Sequence, residues 1–294
     1  VSTKINFSVI VPTYNRAAQL AQCLQELVSQ QLAAWEIIVV DDGSAQSVRA
    51  QLESQFPQVR WLEQANQGPA AARNRAARIS TGDYLAFTDD DCLPDRQWLA
   101  CLAEAAQRYP GAVLGGTTVV AEGAGIYDRV AQLVHHCVYQ FYNANREQAF
   151  FLASNNLALP RSLFEELQGF DEGKFPYVSE DRDLCARVRS REIRLVWQAS
   201  ARVLHLPKLN LYRYCKMYFR YGRGAARYHQ ACAGRGAASH MVDGSFHLRA
   251  PGILWQGIRE EKPLHQIPCL CLCILWQICN AAGFFWERMS PWTR

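Results

Sequence analysis

Tyr84-Leu85-Ala86-Phe87-Thr88-Asp89-Asp90-Asp91 passes in one step from an apolar run to three adjacent carboxylates. A short continuous apolar run is the pattern of a strand covered on both faces. Three aspartates at its end repel one another, so the pattern predicts a cation among them. On an extended chain Asp89 and Asp91 project to the same side and can share one ligand complex. Carboxylate oxygens suit Mg2+ or Mn2+, which bridge to a diphosphate. A solvated acidic turn is the alternative.

Upstream the same alternation repeats. Phe7–Val11 reads as a buried strand, residues 17–30 as an amphipathic helix on Leu20, Leu24 and Leu27, and Glu36–Val40 as a second strand. Residues 58–62 give a short strand, and the alanine-rich stretch 69–79 a helix. Such alternation predicts right-handed βαβ units and a mainly parallel sheet, with ligands bound beyond the carboxyl ends of the strands. Three strand ends carry polar or acidic clusters: Pro12–Arg16, Asp41–Ser44 and Asp89–Asp91. They are expected to meet in one crevice.

Downstream the pattern loosens. Strands are expected at 112–120, 150–159 and 194–198, and helices at 126–142, 161–168 and from Glu180. Asp41 and Asp42 can accept from a base N–H or ribose hydroxyl, or simply form an Asp-Gly turn. Asn66-Gln67-Gly68 enters a helix with Arg73 one turn inside, facing a phosphate or solvent. Glu180-Asp181-x-Asp183 places acids in a first helical turn, where they favour the helix dipole. In the functional reading Asp181 is a general base toward an acceptor hydroxyl. His205, expected in a short loop after the strand at 194–198, is a packed residue or a nitrogen donor to the metal.

The whole chain has 294 residues, 49% of them hydrophobic and 20% charged, enough for one large core and an appendage. A net charge of +4 is too small and scattered to indicate a nucleic-acid partner. The 11 cysteines include no Cys-x-x-Cys pair, which predicts reduced, mostly buried thiols in a cytosolic setting. Val1–Phe7 has no apolar core of a signal peptide.

In order along the chain, Ser8–Arg16, Ile37–Ser44, Asn66-Gln67-Gly68, Ala72-Arg73-Asn74, Gly82-Asp83-Tyr84, Phe87–Asp91, Asn155-Asn156, Gly169-Phe170-Asp171 and Glu180–Leu184 resemble the family 2 glycosyltransferases, over about two-thirds of the chain. The resemblance implies an α/β GT-A fold with a Rossmann-like, mainly parallel sheet flanked by helices. It implies a catalytic domain over 1–207, with a donor half at about 1–115 and an acceptor half at about 116–207. It also implies inverting transfer of a sugar from a nucleotide diphosphate sugar, a UDP-sugar first, to an acceptor hydroxyl. By that likeness Pro12, Thr13 and Tyr14 border the donor base, and Asp41 and Asp42 hold base and ribose. Arg16, Asn66, Gly68, Arg73, Asp89 and Asp90 complete the donor site. Asp89–Asp91 match the D-x-D element, with Asp91 nearest the metal, joined by Asp89 and His205. Asp181 matches the catalytic base, and Asn155, Asn156 and Glu180 lie on the acceptor side. The family's usual aliphatic residue before the triplet is Thr88 here. Two other readings are a nucleotidyltransferase, which lacks its glycine-rich phosphate loop here, and a non-catalytic nucleotide- or glycan-binding module.

Residues 208–294 are expected to be helical, with a glycine-dotted loop at 222–244. Arg213, Lys216, Arg220, Arg223 and Arg227 mark a basic helix that lies on an anionic membrane, grips a phosphate-bearing acceptor, or only meets solvent. The apolar segment 267–286, which carries Trp276 and Trp286 with Arg288 and Trp292 beyond, spans a membrane, lies on one, or is buried in the protein or a dimer. The expectation is catalysis at the cytoplasmic face of the inner (plasma) membrane, on a glycan or lipid-linked acceptor for cell-surface polysaccharide or glycolipid synthesis.

Overall fold

The computed structural model describes residues 5–121, 123–235 and 240–289. These form two compact units, Val1–Val119 with Asn145–Leu206, and Val120–Ala144 with Pro207–Arg294. Residues 120–144, expected within the acceptor half, therefore fold with the second unit.

The first unit begins β1 (Phe7–Thr13), α1 (Ala17–Val28), β2 (Glu36–Asp41), α2 (Val48–Leu52), β3 (Val59–Glu63), α3 (Pro69–Ile79) and β4 (Tyr84–Thr88). β1 pairs in parallel with both β2 and β4, and β2 with β3. Alternate residues supply two cores. Val9, Val11, Ile37 and Val39 face α1 through Leu20, Leu24 and Leu27, whereas Ile10, Ile38 and Val40 face the alanines of α3. Burial on both faces is why these strands are continuously apolar, and each large side chain so buried contributes about 1.5–3 kcal/mol.

β5 (Cys92–Pro94), α4 (Trp98–Arg108) and β6 (Val113–Val120) follow, then α5 (Ile126–Tyr142) in the second unit. The chain returns as β7 (Asn156–Pro160), α6 (Arg161–Glu166), α7 (Glu180–Arg189) and β8 (Leu195–His205). The eight strands described run β3-β2-β1-β4-β7-β6-β8-β5. β4–β7, β6–β7 and β5–β8 are antiparallel, so the parallel order of the first half gives way to a mixed sheet in the second. Two expectations are corrected here. The strand expected from 150 starts only at Asn156, and His205 is the last residue of β8 rather than part of a loop after it.

The second unit adds α8 (Leu211–Gly234), α9 (His240–Glu260) and α10 (Pro263–Met289) to α5, around Val130, Val134, Tyr214, Tyr218, Leu254, Cys269, Cys273 and Trp276. The loop expected at 222–244 is helical at both its ends. The glycines there mark close packing: a Cβ on Gly222 would lie 1.9 Å from the Asn280 carbonyl oxygen, and one on Gly283 1.9 Å from that of Phe219. Arg223 and Arg227 are only partly exposed and are paired. Both donate to the buried Glu287 carboxylate, at 2.5 and 2.7 Å. α10 is long and apolar enough to cross a membrane by length and composition. Trp292 lies outside the described residues.

Candidate active site

The ends of β1, β2 and β4 lie side by side because their register matches Thr13 with Asp41 and Ile10 with Phe87. The chain after Thr88 turns rather than extends, so the triplet fans out instead of sharing one side. Asp90 points inward, accepting from Thr13 Oγ1 at 2.8 Å and from Arg16 Nη1 at 3.0 Å. Arg16 also donates to Asp91 at 2.7 Å, so a guanidinium sits among the carboxylates. Burial pushes the Asp90 carboxyl up to about 6 against the pull of Arg16. At Asp91 burial also opposes ionisation, but the hydrogen bond and charge of His205, then Arg16, hold its carboxyl below the usual range.

Asp91 Oδ1 and His205 Nε2 are 3.4 Å apart, and with Cys92 they offer three possible ligand atoms within 4.8 Å of one another. Burial, then the neighbouring aspartates, keep the Cys92 thiol protonated. The effective donors are therefore one carboxylate oxygen and one imidazole nitrogen, a set that fits Mn2+ or Mg2+ better than a thiolate-seeking ion. Asp89 is not in this group. Its carboxylate accepts from Arg73 at 2.6 Å.

Arg73, expected to face a phosphate or solvent, lies inside the protein between two carboxylates. It is 3% exposed, and its second nitrogen donates to Glu180 at 2.8 Å. One buried guanidinium thus ties the acidic turn after β4 to the head of α7. Ser154 supports the same place, donating its hydroxyl to Glu180 at 3.3 Å and its backbone N–H to Asp181 at 3.1 Å. Burial, then the adjacent Glu180 charge, push Asp181 up to about 7. A carboxylate so tuned is matched to taking a proton near neutral pH.

Around the β1 and β2 ends, the Asn15 N–H donates to Ser44 Oγ at 2.7 Å and the Asp42 N–H to the Thr13 carbonyl at 2.9 Å. Tyr14, 49% exposed, is carried between them above buried Pro12. Asp41 and Asp42 are buried, and their carboxylates hold loops. Asp41 accepts from the N–H groups of Ser44 and Val48, and Asp42 from those of Gln67 and Gly68. Asn66 donates to the Asp42 carbonyl. Gly68 has φ +93 and a Cβ there would lie 2.3 Å from the Pro176 carbonyl oxygen, so no larger residue fits. Asn156 is fully buried, bonded to Trp98, Ala201 and Thr117, and so braces the sheet. Asn155, partly buried, accepts from Thr118.

The sequence signals missed two participants, Cys92 and Ser154, and placed Arg16 in the donor site without its ion pairs to Asp90 and Asp91. Ser154 precedes the Asn155-Asn156 pair, which was the available cue.

Residues 8–168 match the model of "Glycosyl transferase family 2". Over 87 residues the chain is 40% identical to an uncharacterised glycosyltransferase, YibD of Escherichia coli, a match covering 29% of this chain and 25% of that protein. It is 25% identical over 222 residues to the glucosyl-dolichyl phosphate glucuronosyltransferase of Haloferax volcanii, covering 70% of each. Among solved structures, the mannosyltransferase PcManGT of Pyrobaculum calidifontis, in complex with GDP-Man and Mn2+, superposes with a TM-score of 0.68 at 18% identity, over 98% of this chain and 89% of that one. TarS of S. aureus gives 0.55 at 16%, over 99% and 93%. These likenesses place the fold in the GT-A class.

Proposed function

The chain belongs to glycosyl transferase family 2 and is a glycosyltransferase, and from that premise we propose that it moves a sugar, with inversion, from a nucleoside diphosphate sugar to the hydroxyl of a glycan or lipid-linked acceptor. The observation that carries this reading is the Arg73 bridge, which joins donor-side Asp89 to acceptor-side Glu180 beside Asp181.

In the reaction Asp181 takes the proton of the acceptor hydroxyl as its oxygen attacks the anomeric carbon. The new C–O bond forms as the bond from that carbon to the diphosphate oxygen breaks. Asp181, near 7, holds a useful deprotonated fraction at neutral pH without losing basicity. Glu180, held by Arg73 and Ser154, fixes the head of α7 so that the base keeps its aim. Asp91 and His205 would hold Mn2+ or Mg2+, which supplies charge stabilisation to the departing diphosphate when bound. Arg16, which pairs with Asp90 and Asp91, would be the cation available to a phosphate there. Tyr14 offers a ring face to the base, with UDP the first nucleotide to test. The GDP-Man bound by PcManGT makes GDP the second.

A lipid-linked acceptor is supported by the acceptor named for the Haloferax relative and by the apolar surface of α10. The site of action on this reading is the cytoplasmic face of the inner membrane.

Calorimetric titration with UDP, GDP and dTDP, each with and without Mn2+, tests the donor site. Metal-dependent binding of one nucleotide, lost in Asp91→Ala, is expected. Binding of none by folded protein would remove the proposal.

A further inference from the structure

α10 is apolar on two opposite faces, and the two faces have different fates. At about 100° per residue, Cys269, Cys273, Trp276, Gly283 and Glu287 fall on one side, and all are buried. The other side carries Leu264, Ile267, Leu270, Cys271, Ile274, Ile278, Ala281, Phe285 and Met289, every one exposed. Between Leu264 and Phe285 no charged side chain falls on that outer stripe, and Arg288 meets its edge near the end; the stripe is roughly 37 Å long at the rise of an α-helix. An exposed apolar strip of this length marks a contact surface.

The inner face is fastened. Gly222 and Gly283 bring the backbones of α8 and α10 into contact, and Arg223 and Arg227 clamp Glu287 near the end of α10. To cross a bilayer, α10 would have to leave these partners and expose Glu287, or draw the five cations of α8 with it. Both are costly in hydrocarbon. Lying flat requires neither. Exposed cations and indoles of the same unit suit anionic headgroups: Lys262 just before α10, Trp286 and Arg288 near its end, and Arg249, Trp255 and Arg259 on α9, where Glu260 is the exposed acid.

We propose that the second unit docks on an anionic phospholipid surface by the outer stripe of α10, with the helix lying in the plane of the membrane and not spanning it. This rests on the membrane location proposed above and gives it a face and an orientation.

The test is flotation of the full chain with vesicles of phosphatidylcholine alone or mixed with phosphatidylglycerol. Binding to the mixed vesicles is expected, with release by alkaline carbonate and slower alkylation of Cys271 by a water-soluble maleimide. Ile274→Glu with Ile278→Glu should weaken binding by on the order of tenfold or more, while Mn2+-dependent nucleotide binding stays unchanged. Retention through carbonate would mean a spanning helix and overturn the proposal. Absence of flotation, or unchanged flotation of the double variant, would also overturn it. So would a monomeric double variant from a dimeric parent, by assigning the stripe to a second copy. Nucleotide titration is read separately, so loss of the donor site is not mistaken for loss of docking.

Discussion

Replacing Arg73 by leucine separates the role seen in the structure from the phosphate contact that its place in the chain suggests. Arg73 is 3% exposed and forks between Asp89 at 2.6 Å and Glu180 at 2.8 Å. Leucine fills much of the same space but leaves a Glu180 side chain that is 6% exposed without its cation. Breaking one side of a buried ion pair costs about 3–5 kcal/mol, a large share of the roughly 5–15 kcal/mol that holds a domain folded. Urea unfolding followed by tryptophan fluorescence should register that loss. Adding Glu180→Gln to Arg73→Leu should restore part of it, because the stranded charge is gone, with a coupling of roughly 0.5–3 kcal/mol. Arg73→Lys should rescue poorly, since an ammonium cannot present the same planar fork. If Arg73→Leu leaves stability within about 0.5 kcal/mol of the parent and only raises the KM for the donor, the guanidinium serves a phosphate and the bridge is incidental.

Four further outcomes follow from the structure. Asp181 works as a base only when ionised, so kcat should rise with pH through about 7. Glu180→Gln removes a neighbouring charge that raises Asp181, and should move that limb to lower pH in a pH–rate profile. At His205, burial opposes protonation but the bond and charge of Asp91 outweigh it and raise its pKa; protons therefore compete with metal, and Mn2+ affinity by calorimetry should fall on acidification, an effect lost in His205→Ala. Gly222→Ala forces a Cβ against the Asn280 carbonyl, and should cost about 1–3 kcal/mol by thermal unfolding, with faster hydrogen exchange in α8 and α10.

The parallel half of the sheet was legible because strands buried on both faces must be apolar at every position, as Val9–Val11 and Ile37–Val40 are. The acidic turn was legible as chemistry but not as geometry. Periodicity assumed an extended chain at Asp89–Asp91, whereas the turn sends Asp89 to Arg73 and Asp91 to His205. The Arg73–Glu180 bridge joins residues 107 positions apart, a distance that local pattern does not reach. The glycines of 222–244 predict a loop, yet at Gly222 the missing side chain admits another helix. β8 was cut short because its half-buried second part, Gln198–Arg202, lacks the apolar run that announced the earlier strands.

Single-turnover transfer from the nucleotide sugar identified by calorimetry, compared between the parent and Asp181→Asn, tests the central claim most directly. The account predicts that Asp181→Asn binds the nucleotide with Mn2+ as the parent does but transfers sugar slower by about 10²–10⁴-fold. Transfer at the parent's rate by the folded variant would contradict it, and the base would have to be sought elsewhere.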